Sequence, residues 1–291
     1  NGYFSIYQSD RYGFNNPDDE WDSKEIEYLL IGDSFTHGAC VNRPNDIASV
    51  LRTLSNKSVL NLGYGGNGPL LEYATLREYY NSNIKKVLWI YTESGDLFEL
   101  ITEKKNKILL EYLNSKNYSQ NLKYKQVEVD NLLKKNFKIE LRNQIQNRTL
   151  ENIAQIEDDN KLKYKFLKFI RLDRTKNIFK KKEGYIEDII FKDFEKILRL
   201  SAELSKANNS KFIFVYIPVY NRYSGSKYSD DYYNKVISIV KKLNIDIIDM
   251  KEVFDNETNP KIFYPFQQFA YHHNIKGFKK VAETIYNFTK G

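Results

Sequence analysis

Three short apolar runs mark the first third of the chain, at residues 28–31, 58–62 and 86–91, and each stops in a loop that contains glycine. Apolar residues at helical spacing lie between them: Ile47, Val50, Leu51 and Leu54 after Pro44-Asn45-Asp46, then a second stretch from Pro69 to about Tyr80. Short runs that alternate with helical patterns predict parallel strands joined by crossover helices, with their loops gathered at one edge. The rhythm returns later, with a helix over 185–206, a strand over 211–217, a helix over 230–243, a strand over 245–250 and a closing helix over 276–288. The expected fold class is therefore α/β, a parallel sheet covered by helices on both faces.

Two segments stand outside this rhythm. Residues 1–25 are aromatic and polar, with turn signals at Asn16-Pro17 and Asp18-Asp19, and read as an N-terminal arm packed on the domain. Residues 97–185 contain no proline and are rich in Lys, Glu, Asn, Leu and Ile at helical spacing. They read as a helical insertion, either a cap over the site or an elaboration away from it. The α/β domain is then 26–96 with 186–291.

Composition narrows the function classes. A length of 291 residues with 41 % apolar content supports one full core plus an insertion. The net charge of +7 is spread along amphipathic stretches with glutamates between the lysines, so it reads as a solvated surface. No nucleic-acid module signature is present, and the expected partner is a small-molecule or glycan ester substrate. No apolar run is long enough to span a membrane. The chain opens on Asn1, as a fragment would, and an extracytoplasmic location is expected, secreted, periplasmic or tethered by a segment outside this chain. The single cysteine, Cys40, cannot form an internal disulfide and reads as a small buried residue between Ala39 and Val41.

The candidate chemistry starts at Gly32-Asp33-Ser34, where the first strand breaks into a turn. A serine there stands at the carboxyl edge of a parallel sheet, beside the N–H groups of a helix start. It needs a base, and only His37, His272 and His273 exist. The last two sit in the loop after the final strand, which opens on the same edge. The glycine-dense loop Gly63-Tyr64-Gly65-Gly66-Asn67-Gly68 can supply an oxyanion amide, with Gly66 the chosen donor beside the Ser34 N–H.

These residues resemble the four blocks of the SGNH (GDSL-type) hydrolases. The blocks are Gly32–Gly38, Asn61–Asn67, Tyr91–Leu97 and His272-His273-Asn274-Ile275-Lys276-Gly277, in family order. The resemblance implies a flavodoxin-like α/β/α sandwich, no metal or organic cofactor, Ser34 as nucleophile and Gly66 as oxyanion donor. Its His-x-Asn-x-x-Gly spacing selects His272 as the base.

Two departures qualify it. Gly95 stands where the family has an asparagine that donates to the oxyanion, a loss of about 3–4 kcal/mol unless Asn67 or a backbone amide replaces it. Ala270 and Phe269 stand where the family has the aspartate that orients the histidine. Asp249, Asp96 and Glu93 are the candidate substitutes, and a Ser–His dyad is the alternative. The expected function is a serine-dependent esterase or O-acyltransferase acting on acyl, most simply acetyl, esters of a glycan. The rival is a binding module of the same fold that has lost efficient catalysis and holds a carbohydrate or acylated ligand.

Overall fold

The computed structural model describes residues 6–93, 95–154, 180–225, 228–267 and 272–290. The chain divides into two compact units, residues 1–120 with 190–291, and residues 121–189.

The first unit is built on five strands: β1 (Ile26–Gly32), β2 (Val59–Asn61), β3 (Ile84–Thr92), β4 (Lys211–Ile217) and β5 (Asp246–Asp249). All pair in parallel, in the order β2-β1-β3-β4-β5. The expected strands are all present, and the α/β class holds. Parallel strands buried on both faces must be apolar at successive positions, and Leu29, Leu30, Ile31, Val87, Leu88, Trp89 and Ile90 are all fully buried.

Alternation divides these residues between two layers. Tyr28, Leu30, Leu88, Ile90, Ile213, Val215 and Ile217 join one core with Ile47, Ala48 and Leu51 of α2 (Ile47–Ser55). The last helix of the chain, residues 275–289, adds Phe278, Val281, Ala282 and Ile285 to the same core. On the other face Tyr91 and Phe214 pack their rings on Phe194, which lies in the helix Lys180–Ala207. α3 (Pro69–Tyr79) covers this side, and α4 (Asp96–Glu103) and α5 (Lys107–Asn114) pack on α3 within the first unit. Both were expected in the insertion by sequence rhythm alone. The second unit holds α6 (Gln126–Ala154) and the start of the Lys180–Ala207 helix, which we label α7.

The order 2-1-3-4-5 places its topological switch between β1 and β3, the crevice where open α/β sheets take their ligands. β1 ends there in Gly32. A Cβ at Gly32 would stand 2.6 Å from the Ile90 carbonyl oxygen, so only glycine lets the two strand ends approach.

The N-terminal arm braces this edge. Buried Asp10 accepts from Trp21 Nε1 at 2.7 Å and from Asn16 Nδ2 at 2.8 Å. Asn16 in turn accepts from Asn61 N at 2.8 Å, and Asn15 Nδ2 donates to the His37 carbonyl at 2.7 Å. Among the described residues no helix is long and apolar enough to cross a membrane.

Candidate active site

The nucleophile candidate opens the short helix α1 (Ser34–His37). Asp33 caps it by accepting from Phe35 N at 2.8 Å and reaches across to β3, accepting from Thr92 Oγ1 at 3.1 Å. Burial pushes the Asp33 carboxyl up to about 6. The Ser34 hydroxyl is half-buried at the rim.

The base candidate comes from the far end of the chain. Asn274 caps α8 (Ile275–Thr289) by accepting from Gly277 N at 3.1 Å. The same side chain donates to the Ile262 and Tyr264 carbonyls at 2.8 and 3.0 Å, which pins the loop before the helix. Gly277 leaves room for that loop, since a Cβ would meet the Phe263 carbonyl oxygen at 2.5 Å. The histidine block is thus a scaffold that fixes where its first residue stands. His272 Nε2 lies 2.7 Å from Ser34 Oγ, and its ring packs at 4.9 Å on Phe35. Burial and the neighbouring His37 hold its pKa below the ordinary histidine value, so it is neutral and able to accept a proton at neutral pH.

His273 points into the core against Phe35, Phe254, Tyr264 and Phe278. His37 sits on α1 with Nδ1 at 3.4 Å from the Gly63 carbonyl oxygen. Neither meets Ser34.

The glycine loop lies beside the serine. Asn61 ties it down, donating to the Thr36 carbonyl at 2.7 Å and accepting from Gly63 N at 2.8 Å. The amides of Tyr64 and Asn67 are also engaged, with the carbonyls of Gly32 and Tyr64. Among the described residues the Gly65 and Gly66 amides have no acceptor in the protein. Gly66 has φ +81°, and a Cβ at Gly65 would lie 3.7 Å from Ser34 Cβ. Gly65 is therefore a neighbour of the serine that loop spacing alone did not single out. Asn67 is buried at the base of the same loop.

The three candidate orienting acids lie elsewhere. Asp249 caps a short helix, accepting from Lys251 N at 2.9 Å, and takes the Tyr233 hydroxyl at 2.6 Å. Asp96 accepts from Thr92 N at 2.9 Å. Glu93 forms a buried ion pair with Arg222 and accepts from Val219 N at 3.2 Å. Among the described residues the group at His272 Nδ1 is Cys40, with Sγ at 3.5 Å. Cys40 is at the surface, not buried as the apolar neighbours Ala39 and Val41 suggested. Its turn swings it outward with φ +71°, a conformation that its sequence neighbours do not signal. Ala270 and Phe269, the family positions of the acid, lie outside the described residues. Gly95 starts α4 with no side chain, and a Cβ there would lie nearest the Glu99 carboxylate, at 3.6 Å.

Carboxyl groups gather behind the serine. Burial raises Glu72 and Asp96 well above the carboxylate range, each reinforced by the other's charge or by that of Asp33. Glu99 rises to about 7 for the same reasons. Among the described residues no group of three or more His, Cys, Asp or Glu side chains is disposed to hold a metal ion.

No family model matches the chain, and no curated protein matches it. Solved structures do. A lipolytic protein of the G-D-S-L family from Desulfitobacterium hafniense is 14% identical, with a TM-score of 0.47 over 90% of this chain and 99% of that one. A psychrotrophic esterase from Pseudoalteromonas is 11% identical, at 0.43 over 91% and 97%. An acetylxylan esterase from Geobacillus stearothermophilus is 13% identical, at 0.42 over 91% and 95%. At these identities and TM-scores the functional reading rests on the geometry above rather than on the neighbours. The observed fold is the parallel α/β/α sandwich that the SGNH (GDSL-type) sequence blocks implied, with Ser34 and His272 in contact at its carboxyl edge.

Proposed function

We propose that this chain is an SGNH-type serine ester hydrolase or O-acyltransferase with Ser34 as nucleophile. The observation that carries the reading is the 2.7 Å approach of His272 Nε2 to Ser34 Oγ at the switch point of the sheet. Ser34 Oγ attacks the acyl carbonyl while His272 Nε2 takes its proton. The Ser34 N–H, at the start of α1, and the Gly66 amide hold the developing oxyanion, with Gly65 and the Asn67 side chain next to them. Collapse expels the alcohol, which receives the proton from His272, and leaves an acyl-serine. Water, or a second hydroxyl compound, then takes the acyl group as His272 removes its proton. Water gives a hydrolase; a glycan hydroxyl gives a transferase.

The substrate class we favour is an acetyl ester of a glycan. Tyr64 is exposed on the glycine loop, and Tyr7 of the arm packs edge-on against His37 at 4.7 Å. Both offer rings beside His37, three residues along α1 from Ser34, on which a sugar can stack. The second reading, a binding module for a carbohydrate or acylated ligand, is favoured by Gly95, which provides no side-chain oxyanion donor.

Turnover of p-nitrophenyl acetate and of an O-acetylated sugar by wild type and Ser34→Ala tests the reading. The expected result is loss of at least a thousandfold in Ser34→Ala and labelling of Ser34 by a fluorophosphonate. Equal rates and no label sink the enzyme; sugar binding that survives in both proteins then favours the binding module.

A further inference from the structure

After α1 the chain makes a turn in which Val41 N–H donates to the Gly38 carbonyl at 3.3 Å, and Cys40 holds its third position at φ +71°. That position favours glycine, because a side chain there crowds its own backbone. The chain carries a cysteine there, with its sulfur 3.5 Å from Nδ1 of the histidine whose other nitrogen faces Ser34. Asp249, Asp96 and Glu93 are all committed to other partners. The sulfur thus stands where a serine hydrolase sets the acid that orients its base.

We propose that Cys40 is the positioning residue of His272: its sulfur accepts the Nδ1–H and leaves Nε2 to accept the Ser34 proton. This rests on the ester chemistry proposed for Ser34. A neutral imidazole carries one N–H, so an acceptor at Nδ1 selects the tautomer that works at Nε2. A neutral thiol is a weak acceptor, and it stabilises the imidazolium formed during attack less than a carboxylate does. Although Cys40 is at the surface, partial desolvation of its sulfur raises the thiol above its ordinary value, so the sulfur is neutral at pH 7. In alkaline solution a thiolate places a full negative charge at Nδ1 and strengthens the base.

Among the described residues the titratable groups around the ring are Asp33 behind Ser34, His37 on α1, Cys40 in the turn and His273 next in the chain. Of these only the thiol titrates on the alkaline side. Tyr7 and Tyr64 face His37 rather than His272.

Cys40→Gly removes the sulfur and relieves the positive φ, so its thermal midpoint is expected at or above that of wild type. Its kcat falls about tenfold at pH 7 with KM unchanged, the loss of one modest hydrogen bond. Wild type is expected to show an alkaline rise in kcat, and Cys40→Gly to lack it. Cys40→Asp regains kcat over Cys40→Gly and moves the acidic limb of the profile to higher pH. Nitrogen-15 NMR of His272 shows the Nδ1–H tautomer in wild type and a tautomer mixture in Cys40→Gly, whatever the turnover. A Cys40→Gly protein with wild-type kcat, pH profile and tautomer overturns the assignment. Ser34→Ala run in parallel keeps the two readings apart: turnover that survives it sinks the ester chemistry, while the tautomer still decides Cys40.

Discussion

His272 and His273 are adjacent in the chain and opposite in environment: His272 meets Ser34 at 2.7 Å, while His273 is fully buried and, among the described residues, neither ring nitrogen has a hydrogen-bond partner. Packing among aromatic rings pushes His273 down to about 3. His272→Ala is expected to lower turnover of p-nitrophenyl acetate by at least a thousandfold, and His273→Phe to leave it within about twofold.

The same pair sets an acid sensitivity. A histidine depressed to about 3 in the fold contributes stability that is complete above its ordinary value near 6.5 and is lost as pH falls toward 3. The loss amounts to about 3–5 kcal/mol. Urea unfolding of wild type from pH 7 to pH 4 is expected to show it, and His273→Phe to flatten it. An unchanged slope in that variant would assign the acid loss to other groups.

The carboxyls behind Ser34 have the opposite sign. Glu72 is fully buried with both oxygens unpartnered among the described residues, and burial raises it well above the carboxylate range. A raised acid contributes stability that is complete below about 4.5 and is lost as pH rises through the folded value. Because the buried group is a neutral acid, Glu72→Gln is expected to cost less than about 1 kcal/mol at pH 6 and to improve stability at pH 9. Thermal melts at the two pH values check both statements.

Arg222 and Glu93 form an ion pair with side chains only 7% and 4% exposed, joining the loops after β4 and β3. Removing one partner strands the other charge. Arg222→Ala is expected to cost about 3–5 kcal/mol by denaturant unfolding, and the double change Arg222→Met with Glu93→Leu to cost less than the single one. A double-mutant cycle without coupling would contradict the pairing.

Two glycines near Ser34 should respond differently to one methyl group. Gly32→Ala drives a Cβ to 2.6 Å from the Ile90 carbonyl oxygen and is expected to cost about 3 kcal/mol or more. Gly65→Ala meets only Ser34 Cβ, at 3.7 Å, and is expected to leave stability within about 0.5 kcal/mol. Its effect falls on substrate: long-chain esters should slow more than acetate, measured as the ratio of kcat/KM values.

The sequence by itself determined the sheet, since strands buried on both faces must be continuously apolar and the helices between them must show a 3.6-residue period. It also pointed to the candidate serine, histidine and glycine loop, because tight turns, caps and close backbone approaches demand Gly32, Asp33, Asn61, Asn274 and Gly277 at fixed offsets. Local rules of this kind act over a few residues and can be read along the chain. Only the tertiary structure decided what stands at His272 Nδ1. Glu93 is drawn to Arg222, Asp249 to Tyr233 and Asp96 to the Thr92 amide, and none of these partners is near in sequence except the last. Cys40 reaches the histidine across 232 positions, through a turn in a left-handed conformation that no local pattern announces. Helical spacing likewise could not tell α4 and α5 from an insertion, because an amphipathic helix shows that it packs but not against what.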